Sequence, residues 1–201
     1  MQHVPVHTAL LTAAPFAPVS VVDLQSHVVV EHNDDDDLLA IYIDAAVAQV
    51  QADTGCAIVK QQWQSDYECF PDVIYLRKPP LLAVESVKYY DTDGNLQTLD
   101  PADYQVATSG IVGRIAPAPT KSWPSVQAGR FNGVSVTYQA GYVDVVGGVA
   151  QGEMPVQLRQ AVYVLAAHFY ENREAVLVGT ISKEQPLAYQ MLINNHTVSA
   201  V

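Results

Sequence analysis

Residues 155–174 read PVQLRQAVYVLAAHFYENRE. Pro155 suits the first turn of a helix, where its missing N–H has no partner to lose. Leu158, Val162, Leu165 and Phe169 follow at helical spacing, and Ala161, Val164 and Ala166 make the middle of the helix apolar nearly all round. Such a helix lies at the centre of a core or is pressed against a neighbouring subunit. Its far end, His168-Phe169-Tyr170-Glu171-Asn172-Arg173-Glu174, carries groups suited to hydrogen bonds and ion pairs. The candidates for subunit contact are therefore Leu158, Val162, Leu165, His168, Phe169, Arg173 and Glu174.

A helix of this kind needs a partner, and the sequence supplies one upstream. Asn33 and the run Asp34, Asp35, Asp36, Asp37 offer an N-cap and place carboxylates over the positive end of a helix dipole. Leu39, Ile43, Ala46 and Val50 then form one apolar stripe, widened by Tyr42 and Val47, and Gly55 stands where a helix ends. The spacing predicts a helix over about 35–54, packing on the one at 155–174. Ser20 caps a shorter helix running to about His27, and a last helix spans about Leu187 to Asn194. Residues 1–18, punctuated by Pro5, Pro15 and Pro18, show no sustained period and read as a flexible or partner-ordered arm.

Between the main helices the pattern is β. Ile58–Phe70 alternates loosely, Val73–Arg77 makes a short strand stopped by Pro79-Pro80, and Val84–Tyr90 with Leu96–Leu99 makes a hairpin turned by Asp91-Thr92-Asp93-Gly94-Asn95. Tyr104–Thr108 and Ile111–Ala116 form a second pair, and Val134–Tyr138 alternates cleanly before Gly141. Closely spaced strands with turn signals between them predict a small sandwich or barrel-like sheet, so the fold class is α+β.

Composition narrows the function. Of 201 residues 49% are hydrophobic and 15% charged, a globular balance. Ten basic residues against 21 acidic give a net charge of −11, which argues against gripping nucleic acid by its phosphates. There is no basic leader with an apolar stretch and no run near the roughly 18 apolar residues of a membrane span, so no membrane partner is expected. Cys56 and Cys69 lack metal-ligand spacing and read as free thiols of a protein made in a cytoplasm. Four contiguous aspartates cannot wrap one cation in the alternating manner of a calcium loop, and the Asp91 turn has its Gly two positions early for one. No nucleophile elbow, phosphate loop, dinucleotide fingerprint or zinc motif occurs. No catalytic, cofactor or metal site is expected.

The order of the features carries a resemblance. The acidic run leads into a helix closing on Asp53-Thr54-Gly55-Cys56; then come Gln61-Gln62-Trp63, Leu76-Arg77-Lys78-Pro79-Pro80-Leu81 and Val84-Glu85-Ser86-Val87-Lys88-Tyr89-Tyr90-Asp91. Leu99-Asp100-Pro101-Ala102-Asp103-Tyr104, Lys121-Ser122-Trp123-Pro124, Val136-Thr137-Tyr138-Gln139-Ala140-Gly141-Tyr142 and the His168–Glu174 end complete the series. Over about residues 20–190 this resembles the head–tail connector (adaptor, or head-completion) proteins of tailed bacteriophages, in the version with a β insert. The resemblance implies a homo-oligomeric ring, usually of twelve copies, in the neck of the particle. Portal protein would lie above it and a tail-side, stopper or tail-completion protein below, and DNA would pass through the channel without specific binding. It divides the chain into an arm (1–18), a helical connector core (19–56 and 153–183), a β-rich insert (57–152) and a C-terminal docking segment (184–201). The residues alone also admit a β module binding a small ligand or carbohydrate, with Trp63, Trp123 and the tyrosines as its platform. A packaging accessory enzyme using Asp34–Asp37 is a third reading.

Overall fold

The computed structural model describes residues 5–12, 18–110, 112–146, 149–151, 153–173 and 187–198. The chain divides into two compact units, one of residues 1–14 and 59–142, the other of residues 15–58 and 143–201.

The second unit is helical. Its α1 (Val21–Val28) starts at Ser20, whose hydroxyl accepts a hydrogen bond from the Asp23 N–H at 3.1 Å, and buries Leu24. Its α2 (Asp36–Thr54) buries Leu39, Ile43, Ala46, Val47 and Val50, the stripe that the spacing predicts. It ends at Gly55, whose φ of 75° is left-handed and whose N–H reaches the Gln51 carbonyl at 3.0 Å. The third helix, α3 (Val156–Glu171), begins directly after Pro155 and buries Leu158, Ala161, Val162, Leu165 and Ala166. A short α4 (Leu187–Ile193) buries Tyr189 and Ile193. Helix α3 packs on α1, α2 and α4, so most of its apolar middle is covered by three helices of its own chain, with Val164 and Ala167 half-buried. Each large aliphatic side chain withdrawn in this way contributes about 1.5–3 kcal/mol against exposure.

The first unit is built of eight strands in two antiparallel sheets: β1 (His7–Thr12), β2 (Gln61–Tyr67), β3 (Ile74–Leu76), β4 (Leu81–Tyr90), β5 (Leu96–Thr98), β6 (Tyr104–Ala107), β7 (Gly113–Pro117) and β8 (Val134–Ala140). The larger sheet has the order β1-β2-β8-β4-β5 and the smaller β3-β7-β6. In β8 the alternation is complete: Val134, Val136, Tyr138 and Ala140 are buried, while Ser135, Thr137 and Gln139 take the other face. The core also holds Tyr67, Ile74, Leu76, Val87 and Ile115. The Tyr67 hydroxyl donates to the Tyr75 carbonyl at 2.9 Å and so ties the two sheets, and buried Ser65 lies 3.3 Å from the Tyr138 hydroxyl and 3.1 Å from that of Thr8. Burial pushes the Tyr138 phenol up to about 12, which keeps it a neutral hydrogen-bonding group. Gly141, at φ 145°, ends β8 where a Cβ would meet the Val59 backbone at 2.4 Å, so only glycine fits there.

Two elements differ from the sequence expectation. The arm expected over 1–18 contains β1, an edge strand paired with β2 from His7↔Asp66 to Thr12↔Gln62 with a bulge at Leu11. An antiparallel pair, β9 (Asp144–Val146) and β10 (Val149–Gln151), stands where only the end of the β-rich region was expected. The predicted 155–174 helix ends at Glu171, and Glu174 lies outside the described residues. No helix among the described residues is long and apolar enough to cross a membrane.

Fully buried Ile43 and exposed Ile41 (62% accessible), on opposite sides of α2, separate packing from propensity. Ile43→Ala is expected to lower unfolding free energy by about 2–5 kcal/mol in urea denaturation. Ile41→Ala is expected to change it by no more than about 0.5 kcal/mol.

Candidate functional site

The acidic run and the end of α3, far apart in sequence, meet in the structure. Asp35 stands at the N-cap position of α2, yet its side chain makes no capping hydrogen bond. Its Oδ2 instead accepts from the Tyr170 hydroxyl at 2.6 Å and from Nη2 of Arg173 at 2.8 Å. The Arg173 guanidinium lies 4.3 Å from the Tyr170 ring centroid, and its Nε donates to the Tyr170 carbonyl at 3.3 Å. Asp36, in the first turn of α2, accepts from Gln25 at 2.6 Å and so ties α1 to the same end, while Asp37 beside it is exposed. Asp34 is almost wholly exposed, 3.9 Å from Nδ1 of His32. The run thus does three things: Asp36 and Asp37 complement the helix dipole, Asp36 ties α1, and Asp35 fastens the end of α3.

The other end of α2 is tied in the same way. Asp53 Oδ2 accepts from the Tyr189 hydroxyl at 2.6 Å, and Oδ1 accepts from Gln49 at 2.8 Å. Burial first, and then the Asp53 carboxylate, push the Tyr189 phenol far up. Past α4 the Val198 N–H donates to the Thr54 carbonyl at 2.8 Å, and the Cys56 thiol lies 3.3 Å from the His196 carbonyl oxygen. A carboxylate–tyrosine bond therefore stands at each end of α2, one holding the end of α3 and the other α4.

The candidates for subunit contact separate into groups. Leu158, Val162 and Leu165 are buried among the chain's own helices. Their apolar surface is covered within the subunit, and a neighbour could reach it only by unpacking the unit. His168 and Phe169 are half-buried, with the Phe169 ring 6.3 Å from that of Tyr42. Arg173 is exposed but engaged by Asp35. Among the described residues the exposed large apolar side chains of this unit lie elsewhere, at Val22, Val29, Ile41, Val156, Leu187 and Met191. Leu187 (72% accessible) and Met191 (70%) sit one turn apart on α4, opposite the buried Tyr189 and Ile193. Their i, i+4 spacing was the available signal, hidden by the shortness of the helix.

In the β unit the two tryptophans named as a platform are each engaged by the chain itself. Trp123 stacks on Phe70 at 4.6 Å and donates from Nε1 to the Pro71 carbonyl at 2.7 Å, and the Lys78 ammonium covers Trp63 at 4.8 Å. Asp91 organises its hairpin: Oδ1 accepts from the N–H groups of Asp93 and Asn95, and Oδ2 from Gln97. These bonds, that from Gln97 foremost, hold its carboxyl below the usual range. Glu85 takes hydrogen bonds from Gln62 and Gln139, and Asp66 takes them from Gln64 and Ser135, so the outer face of the large sheet is a polar lattice. A groove of about 250 Å³ over β3, β7 and β6, lined by Val73, Gln105, Val106, Ala107, Arg114 and Ala116, holds one cation and no acid–base pair. Among the described residues no three His, Cys, Asp or Glu side chains gather as metal ligands. Cys56 is buried and Cys69 exposed, and neither is in a disulfide.

Charge is unequally shared. Residues 15–58 and 143–201 hold thirteen of the 21 acidic residues and three of the ten basic ones, a formal −10. The β unit holds eight acidic and seven basic, a formal −1. Nearly all the net charge belongs to the unit that contains the helices.

Residues 19–99 match the family model of phage gp6-like head-tail connector proteins. No curated protein matches the chain in sequence. The fold is similar to chains in three particle structures. The neck of an empty gene transfer agent (GTA) particle computed with C6 symmetry gives a TM-score of 0.75 at 21% identity, covering 97% of each chain. The virion of the native GTA particle gives 0.73 at 21%, covering 96% of each. The neck of the native GTA particle computed with C12 symmetry gives 0.73 at 23%, covering 97% of each. The resemblance read from the ordered motifs is borne out by the family model in the N-terminal half and by the fold over nearly the whole chain.

The Asp35 clasp has a pH signature. Hydrogen bonds from Tyr170 first, and then Arg173, lower the Asp35 pKa. A carboxyl more acidic when folded contributes stability above its unfolded pKa and loses it as pH falls through the folded value. In urea denaturation the native chain is expected to exceed Asp35→Asn at pH 7, with the difference shrinking as pH falls below the ordinary carboxylate range and through the lowered folded pKa.

Proposed function

We propose that this chain is the structural head–tail connector subunit of a tailed phage or phage-like particle, residing in the neck and forming a ring of twelve. The ring lies below the portal, extends the DNA channel and gives the tail its platform. The observation that carries this reading is the agreement of two independent likenesses, the connector family model over residues 19–99 and the fold of GTA neck chains over nearly all of both chains.

The physical chemistry supports it. A conduit for DNA must not hold its phosphates, and the helical unit, at −10, supplies a repelling wall. In the division of labour proposed here, the C-terminal segment 184–201 docks on the portal through the outward face of α4. His168, Phe169 and Arg173, at the end of α3, lie near a subunit boundary. A tail-side protein binds the opposite rim.

Imaging the particle tests the reading directly: twelve copies between portal and tail are expected, and density for this chain anywhere else would overturn it. The docking proposal has its own measurement. Leu187→Glu with Met191→Glu, at two exposed positions that the fold does not need, is expected to leave the circular dichroism and urea midpoint unchanged. Co-sedimentation with portal should weaken by at least about tenfold, since two apolar contacts of this size contribute more than the 1.4 kcal/mol which that factor represents. Undiminished binding would reject α4 as the docking face.

A further inference from the structure

Among the described residues the five-stranded sheet ends in two edges with no further strand paired to them, and they differ. The order β1-β2-β8-β4-β5 leaves β1 open on one side and β5 on the other. An open edge is a row of backbone donors and acceptors that another strand can use, and soluble proteins normally guard it with charge or proline. Here β1 reads HTALLT and β5 reads LQT, with no Lys, Arg, Asp, Glu or Pro in either. Leu10 and Leu11 in β1, Val6 just before it and Leu96 in β5 are all exposed apolar side chains.

The backbone of β5 shows which of its groups are free for a neighbour. The Asp91 N–H donates to the Asn95 carbonyl at 3.0 Å and the Leu99 N–H to the Val87 carbonyl at 2.8 Å, so residues 95, 97 and 99 turn their polar groups toward β4. Leu96 and Thr98, between them, turn theirs outward. Strand direction adds a second constraint. Four antiparallel steps separate β1 from β5, so the two edge strands run the same way. Rotation about an axis along the strands carries one copy to the next without reversing direction, and brings β5 of one copy beside β1 of the next as a parallel pair.

We propose that β5 of one copy pairs with β1 of its neighbour, so that the five-stranded sheets join edge to edge around the ring. The inference rests on the connector reading and gives it a subunit contact. Two unlike edges make the heterologous contact that a closed ring requires, whereas β1 against β1 would form a two-fold dimer and stop. The charge distribution favours the same approach. Copies meeting through their β units bring −1 against −1, and copies meeting through their helical units bring −10 against −10. Each joint is short, since β5 has three residues, and closure of the ring supplies the cooperation that one joint lacks.

Cysteine crosslinking on the full chain tests this. In a Cys69→Ser background, which leaves only buried Cys56, the variant Leu11→Cys with Leu96→Cys is treated with a short bismaleimide under ring-forming conditions. A ladder of covalent multimers is expected, with each single-cysteine variant remaining monomeric. Dimers from Leu11→Cys alone, or absence of the ladder, overturn the proposal. If rings occupy the neck without a ladder, the edge pairing falls and the connector reading stands; if there are neither rings nor a place in the neck, both fall. A charge pair provides the second readout. Leu11→Lys with Leu96→Lys is expected to cut the ring fraction by about tenfold, and Leu11→Lys with Leu96→Glu to restore it. Equal ring formation by both variants also rejects the pairing.

Discussion

The burial of one face of α2 against α3 is the contact on which the helical unit depends. Leu39, Ile43, Ala46 and Val50 on one helix and Leu158, Val162 and Leu165 on the other are buried, and α2·α3 is the most extensive helix–helix contact among the described residues. Packing of this kind does not fix where two helices stop relative to each other, because apolar contacts are non-directional. Hydrogen bonds do. Asp35 receives Tyr170 and Arg173 at one end of α2, and Asp53 receives Tyr189 at the other, so directional bonds set the register of what the apolar core holds together. The distinction matters for an assembly protein, whose outward surfaces must be presented at fixed positions.

The two units divide the physical tasks. The helical unit carries nearly all the net charge, and its cations are few, with Arg173 already committed to Asp35. Self-repulsion at that density opposes close approach of like surfaces. The β unit is almost neutral and presents polar side chains in a hydrogen-bonded lattice on the outer face of its large sheet.

Most of the architecture was legible in the sequence because it is written in local signals. The Leu39–Val50 stripe, Gly55 at a left-handed C-terminus, the Asp91–Asn95 turn and the clean alternation of β8 each depend on residues within a few positions of one another. The misses are nonlocal. Strand β1 pairs with a partner more than fifty residues away and has one buried side at most, so nothing within HTALLT marks it as a strand. Asp35 was legible as part of an acidic cap but not as a ligand for Tyr170 and Arg173, 135 and 138 positions further on. The edges of a sheet cannot be read at all until the strand order is known.

The sequence also shows that α3 is apolar nearly all round without showing whose atoms cover it. Burial by the chain's own helices and burial by a neighbour leave the same pattern, since the side chains respond only to the removal of water. Coverage by α1, α2 and α4 settles that question for Leu158, Val162 and Leu165, and it has a consequence for assembly. A subunit whose large apolar helix is satisfied internally can fold before it finds its neighbours, so the contacts between copies need not be the large apolar interfaces of obligate oligomers. Such contacts can be small, polar and built from backbone, because symmetry repeats each of them and closure makes them interdependent. Folding and assembly then draw on different surfaces of the same chain.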